Sequence, residues 1–288
     1  MLAFSRIASH VARGLTLVLV AAFLSACSTQ SALESVAPLS SDKYAAIVVD
    51  ANTGKVLFDR NSRELRYPAS LTKMMTLYML FEALETGRVD PTAQLPVTAF
   101  AASKPPSRLG LRPGQHIDVQ TAILALCVRS ANDVATVVAE YLGDSEARFA
   151  EMMTAKARQL GMNSTTFRNA SGLPDADQRT SARDMAVLST ALRKRFPQHY
   201  HYFSNREFSY AGKIIRGHND LLGRVDGVDG LKTGYIRASG FNLATSAGRG
   251  GRRIVAVVMG GETARARNAH MEELIEMYLP KASLAAAN

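Results

Sequence analysis

Pro68-Ala69-Ser70-Leu71-Thr72-Lys73-Met74-Met75-Thr76-Leu77-Tyr78-Met79-Leu80-Phe81 opens with a serine and a lysine three residues apart and continues as a nearly unbroken apolar run. On a helix, positions i and i+3 share a face, so the hydroxyl and the amine lie one turn apart. Pro68 suits the approach to a helix start. The run behind Lys73 is apolar all round, as in a helix buried in a core, and Gly87 suits its C′ position. The pattern predicts a buried helix from Ser70. A lysine at the inner end of such a helix is costly unless it is paired or neutral. A neutral amine beside a serine hydroxyl is a base beside a nucleophile.

The chain has 288 residues, 47% hydrophobic and 20% charged. That is enough for a sizeable core, in one large domain or two closely packed lobes. The net charge of +9 permits contact with anionic polymers or a membrane surface. The basic residues are scattered, however, with short clusters only at Arg193-Lys194-Arg195 and from Arg249 to Arg253. Without zinc-finger spacing or interleaved aromatics, no nucleic-acid partner is expected. Two cysteines make no disulfide framework. Cys127 lies in an apolar run and reads as a small core residue.

Residues 1–26 read as an export signal. Arg6 and Arg13 precede an apolar stretch, residues 15–24, too short for a transmembrane helix. Leu24-Ser25-Ala26-Cys27 matches the bacterial lipobox, in which the cysteine becomes the lipidated first residue of the mature protein. Residues 27–42 are then the lipidated cysteine and a Ser-, Ala- and Pro-rich tether. Residues 43–280 are then expected to form one folded domain and residues 281–288 a C-terminal tail. The expected location is the periplasm, with membrane contact through a lipid on Cys27.

From Tyr44 onward, two strands flank the turn Asn52-Thr53-Gly54. Asp118 can cap a helix running to Val128, which breaks at Arg129-Ser130-Ala131-Asn132. A helix over residues 134–142 is closed by Gly143, and Asp144 can cap the next, residues 147–160. Ser181, with Asp184 three on, resembles a capping box ahead of a helix stopped by Pro197. Two hairpins follow, one turning at Ala211-Gly212 and one between Gly248 and Gly251, then an amphipathic helix over residues 268–279. This order predicts an α+β domain: a mainly antiparallel sheet flanked by helices, with an all-helical lobe inserted between its halves.

Ser-x-x-Lys alone is a short pattern, and Ser40-Ser41-Asp42-Lys43 also satisfies it, with no helix behind it. Ser70 differs in its company. Ser130-Ala131-Asn132 falls at the break between two helices, where short polar side chains can point into a cleft. Taken alone, Ser130 also fits a helix cap, and Asp133 fits a first-turn dipole partner better than a catalytic acid. Lys232-Thr233-Gly234 falls in a strand-like segment whose small residues let another backbone approach. His199-Tyr200-His201 has no third ligand nearby in sequence, so no metal or cofactor is expected.

With their flanks Tyr67-Pro68-Ala69 and Val228-Asp229-Gly230-Leu231, these motifs resemble those of the low-molecular-mass penicillin-binding proteins. These are D-alanyl-D-alanine carboxypeptidases with a β-lactamase-like transpeptidase fold. The similarity runs from Tyr44 to Leu279, and Ala238-Ser239-Gly240-Phe241-Asn242-Leu243 also reads like the family. The resemblance implies that Ser70 is the acylated nucleophile, Lys73 its base and Ser130 a proton relay to the leaving amine. It implies that Asn132 bonds the substrate amide, and that Lys232 and Thr233 hold the terminal carboxylate. The N–H groups of Ser70 and of Tyr235, beside Gly234, would form the oxyanion hole. Arg267 falls where the family often has a second carboxylate-binding arginine, although a surface role fits it equally. Substrates would be peptidoglycan stem peptides ending in D-Ala-D-Ala, with β-lactams as covalent inhibitors.

Three alternatives accompany this reading. Longer relatives carry a β-rich domain and a membrane helix after the catalytic domain, whereas this sequence stops at Asn288. Shorter relatives include endopeptidases that cut cross-linked muropeptides. A non-catalytic penicillin-binding sensor would keep the fold and lose turnover, against which stands the intact Ser70 and Lys73 pair. A class A β-lactamase needs a Glu in a loop beside the site, and residues 163–180 contain only Asp175 and Asp177.

Overall fold

Side chains on a strand alternate between its faces, and two strands here are apolar on both. In β1 (Ala45–Asp50), Ala45 and Ile47 enter one core while Ala46 and Val48 enter another. In β9 (Arg252–Gly261), Val255, Val257 and Met259 oppose Ile254, Ala256 and Val258 in the same way. A sheet built on such strands must be covered on both sides. The structure, a computed structural model, describes residues 39–285. The export signal, Cys27 and most of the expected tether lie outside the described residues.

The sheet has five strands in the order β2-β1-β9-β8-β7, with β2 Val56–Arg60, β7 Val228–Ile236 and β8 Gly240–Arg249. Every neighbouring pair is antiparallel. Its first two strands come from the start of the described chain and its last three from the end. The intervening residues supply a helical lobe, as the order of elements predicted. That lobe contains α1 (Lys73–Glu85), the short β3 (Gln94–Pro96), α2 (Ala99–Ala102) and β4 (His116–Asp118). It continues through α3 (Val119–Leu124), α4 (Asn132–Gly143), α5 (Glu146–Gln159) and α6 (Ala182–Arg195). The hairpin β5 (Glu207–Tyr210) and β6 (Lys213–Arg216) follows. α7 (Ala264–Tyr278) covers the other face of the sheet through Met271, Leu274 and Ile275.

Several local expectations are corrected. Ser70 is not in the α-helix: Ala69–Thr72 form a 3-10 turn, and the α-helix begins at Lys73. The apolar run behind it is buried as expected, with Met74, Met75, Leu77 and Leu80 wholly inside. The Asp118 cap is present, its carboxylate accepting from Thr121 N, but α3 ends at Leu124. One π-helical turn, Ala125–Arg129, then carries the chain to Ser130.

Gly143 does not close its helix but stands inside it, where a Cβ would come within 2.9 Å of Phe149 Cβ. The left-handed residue is Asp144, at φ 63°. The next helix is therefore capped by Ser145, whose hydroxyl accepts from Arg148 N. Ser181 caps as expected, but the Asp184 carboxylate turns away to Ser164 N and Thr165 Oγ1, so the capping box is half made. α7 starts at Ala264, capped by Thr263, four residues before the expected start. The Glu262-Thr263 polar step carried that signal. Residues 280–285 remain on the body, with Ser283 N donating to the Asp50 carboxylate and Ala285 N to Gly251 O.

Candidate active site

The site is assembled around the 3-10 turn that carries Ser70. Ala69, just before it, has φ 48°, a left-handed conformation costly for a residue with a Cβ. Two glycines hold this turn from either side. A Cβ on Gly172, itself at φ 87°, would lie 1.8 Å from Ala69 O, and one on Gly234 would lie 3.0 Å from Ser70 N. Only bare backbone fits in both places. Asn242, buried on β8, fastens the approach: its Nδ2 donates to Tyr67 O and Pro68 O, and its Oδ1 accepts from Gly260 N.

The Lys73 amine is wholly buried and reaches three oxygens. It lies 2.5 Å from Ser171 O, 2.7 Å from Asn132 Oδ1 and 3.3 Å from Ser70 Oγ. Burial, and then the neighbouring charge of Lys232, hold its pKa well below that of an ordinary lysine, while Asp133 and Glu146 act in the opposite sense. A neutral amine has two N–H groups for the two acceptors and a lone pair left for the serine proton.

Ser130 follows the π turn in the left-handed region, φ 60°. Its hydroxyl is buried and has no hydrogen-bond partner among the described residues. A buried, unpaired hydroxyl on strained backbone is a feature found at functional sites. Asn132 is held by both ends: its N donates to Ser107 O and its Nδ2 to Pro105 O. Asp133 is neither catalytic nor simply a dipole partner. Its carboxylate accepts from the N–H groups of Leu109, Gly110 and Leu111, as well as its own neighbour Val134, and so pins the loop over residues 105–111.

On β7, Lys232 is 2% exposed and donates to Thr233 O at 3.0 Å. Burial is the main influence on it, and the Arg267 charge adds to the shift; together they bring it down to about 8. Tyr235 points outward and stacks on Phe241, ring centroids 4.2 Å apart. A cleft of about 430 Å³ is lined by Ser70, Ser130, Asn132, Thr233, Tyr235 and Arg267, among others. Arg267 is buried and not a surface residue. Its Nε and Nη2 donate to Asn268 Oδ1 and its Nη1 to Asn242 O, and burial pushes it down to about 10. The cleft is thus lined by the hydroxyls of Ser70 and Ser130 and by the Arg267 cation, with the Lys73 amine 3.3 Å from Ser70 Oγ and Lys232 buried next to the lining residue Thr233. That set suits nucleophilic acyl transfer on a substrate with an anionic end.

The rival Ser40 and Lys43 part company: Ser40 Oγ donates to Glu262 Oε1 and Lys43 Nζ to Arg237 O. His199 pairs with Glu85 and stacks on Phe81, and His201 bonds Gln198 O. Cys127 is half-buried, and desolvation pushes its thiol up. Asn242, Ser171 and the cleft-lining His218 and Asp220 were not singled out from the sequence. Asn242 alone left a trace, as an amide inside an apolar strand. Ser171 acts through its carbonyl, which any residue could supply.

The family described as D-alanyl-D-alanine carboxypeptidase matches residues 32–263. The chain is 32% identical to the D-alanyl-D-alanine carboxypeptidase DacF of Bacillus subtilis, over 83% of this chain and 62% of that one. It is 33% identical to DacA of Escherichia coli, over 91% of this chain and 67% of that one. Among solved structures, penicillin binding protein 5 from Haemophilus influenzae superposes with a TM-score of 0.80 at 30% identity, covering 84% of this chain and 71% of that one. Penicillin-binding protein D2 from Listeria monocytogenes, in its cefotaxime-bound form, superposes at 0.75 and 30% identity, covering 83% and 97%. The chain therefore spans about 62–67% of the length of these two carboxypeptidase relatives.

Gly172→Ala forces a Cβ into the Ala69 carbonyl. It should lower stability by about 1–3 kcal/mol and slow acylation of Ser70 by a thioester acyl donor. Thermal melts and acylation rates check this; a melt and a rate equal to wild type would contradict the packing argument.

Proposed function

The chain belongs to the D-alanyl-D-alanine carboxypeptidase family, and we propose that it is a serine carboxypeptidase removing the terminal D-Ala from peptidoglycan stem peptides. The observation that carries this reading is the Lys73 amine, buried with no ion partner in hydrogen-bond contact among the described residues, fixed by two acceptors and in reach of Ser70 Oγ. Ser70 Oγ attacks the carbonyl carbon of the penultimate D-Ala as its proton passes to Lys73 Nζ. The negative oxygen that forms is met by the N–H groups of Ser70 and Tyr235, fixed dipoles that need no rearrangement.

Collapse of this intermediate breaks the C–N bond. The proton now on Lys73 reaches the departing amine through Ser130, whose unpaired hydroxyl is suited to the relay. Free D-Ala leaves an ester on Ser70. A water molecule attacks that ester, gives a proton to Lys73, and the proton returns to Ser70 Oγ as the stem peptide departs. Thr233, with Lys232 and Arg267, holds the substrate carboxylate, and Asn132 orients the substrate amide. A β-lactam presents an acyl group and a carboxylate in a similar arrangement and acylates the same serine. The D2 complexes with cefotaxime and ampicillin support this extension.

The proposed setting is outside the cytoplasm. The signal-like residues 1–26 and the lipobox at Cys27 support export and lipid anchoring. Among the described residues no helix is long and apolar enough to cross a membrane. Metabolic labelling with an alkynyl fatty acid should mark the protein and spare Cys27→Ala; an unlabelled wild type would remove the anchor.

Given a stem pentapeptide, the protein should release free D-Ala and react with fluorescent penicillin. Ser70→Ala should do neither, while melting like wild type. Monomers released from cross-linked muropeptides without free D-Ala would instead make it an endopeptidase, and a folded wild type that never reacts with penicillin would end the enzyme reading.

The pH dependence has two signs. Lys73 must be neutral to take a proton, so kcat/KM falls as pH drops through its lowered pKa. Lys232 must be charged to hold a carboxylate, so kcat/KM falls again as pH rises past about 8. A flat profile between about pH 5 and 9 would remove Lys73 as the base.

A further inference from the structure

Glu146 opens α5, is 8% exposed, and has a partner for each carboxylate oxygen. Oε2 accepts from Lys104 Nζ at 2.6 Å, and Oε1 accepts from Ala170 N and Thr136 Oγ1, both at 3.2 Å. Each of two of these partners leads along the chain to the catalytic amine. Ala170, whose own carbonyl is held by Thr76 Oγ1 at 2.7 Å, precedes Ser171, and Ser171 O accepts from Lys73. Lys104 precedes Pro105, whose carbonyl accepts from Asn132 Nδ2, and Asn132 Oδ1 is the other short contact of Lys73. Both acceptors that fix Lys73 are thus reached in a few steps from one carboxylate.

The ion pair is largely shielded from water, its side chains 13% and 8% exposed. A buried pair is a poor device for stability alone, because well-packed apolar side chains serve as well or better. We propose that Glu146, through its ion pair with Lys104, is a positioning residue for Lys73, clamping the two loops whose acceptors aim the amine at Ser70. The proposal rests on Lys73 being the base and adds how that base is held. The clamp also has an electrostatic consequence. The charged groups facing Lys73 are Lys232 from β7, Asp133 from α4 and Glu146 from α5, and the two carboxylates favour its ammonium form. Lys104, from the segment after α2, tempers the Glu146 charge.

The experiment follows Lys73 in two ways: the pH dependence of acylation by fluorescent penicillin, and carbon NMR titration with lysine labelled at Cε. Glu146→Gln keeps the shape but removes the negative charge, so the Lys73 midpoint moves to lower pH. Lys104→Met leaves the carboxylate unbalanced, so the midpoint moves to higher pH. Each shift should be about half a unit or more, with maximal acylation down roughly tenfold as the loops loosen. A merely structural pair would lower the melting temperature and leave the maximal acylation rate of the folded protein at the wild-type value. Unmoved midpoints, or midpoints moving in the same direction, overturn the proposal.

If either single variant fails to fold, the double variant Glu146→Gln with Lys104→Met leaves no buried charge unpaired and decides the positioning role. Acylation should fall roughly tenfold with melting near wild type; unchanged acylation overturns it. A wild type that never reacts with penicillin would sink the carboxypeptidase reading, whereas the NMR titration would still decide this one.

Discussion

An amine taken wholly out of water is the constraint from which the rest of the site follows. A buried ammonium without a partner carries a penalty of several kcal/mol, and among the described residues no carboxylate is in hydrogen-bond contact with Lys73. Neutral oxygens, a carbonyl and an amide, receive it instead. They hold the amine in place without supplying the charge that would lock its proton on. The serine turn must then be brought to the amine, and the bare backbone at Gly172 and Gly234 lets two segments close on that turn.

Lys73 and Lys232 show how one residue type can be buried in two different ways beside one cleft. Both are buried, and burial pushes both below an ordinary lysine. Lys73 has Lys232 as a repelling neighbour and its three oxygens as partners, whereas Lys232 lies along the sheet with its head at a backbone carbonyl. Their different surroundings are what the proposed roles of base and electrostatic anchor draw on. The strain at Ala69 and Ser130 belongs to the same arrangement, since both left-handed residues deliver a hydroxyl to the cleft.

The architecture was legible because it depends on pattern: apolar runs bounded by turns in the strands, an all-apolar run in α1, and strands on both sides of the helices in sequence. The three motifs were legible because short polar groups stood where helices break or backbones meet. Local geometry was less so. The 3-10 turn at Ser70 follows from Ala69 adopting a conformation that its residue type does not advertise. The shift of the left-handed turn from Gly143 to Asp144 follows from Phe149 needing a glycine inside the helix. Asp133 does stand in the first turn of its helix, but its grip on the loop was not legible, because those partners are backbone N–H groups more than twenty residues upstream. The Ser171 carbonyl left no trace at all, for the backbone is the same in every residue.

The sheet joins strands from opposite ends of the described chain, and this has a consequence in time. β1 finds β9 only after about two hundred residues of chain have been made, so the central pairing closes a very long loop. Ser70 and Lys73 emerge early, but the wall bearing Lys232 and Thr233 comes near the end. A growing chain therefore carries Ser70 long before the cleft that it lines is complete. The cleft closes only when the late strands pair with β1, so a chain kept from completing that pairing holds both early motif residues without the β7 wall beside them.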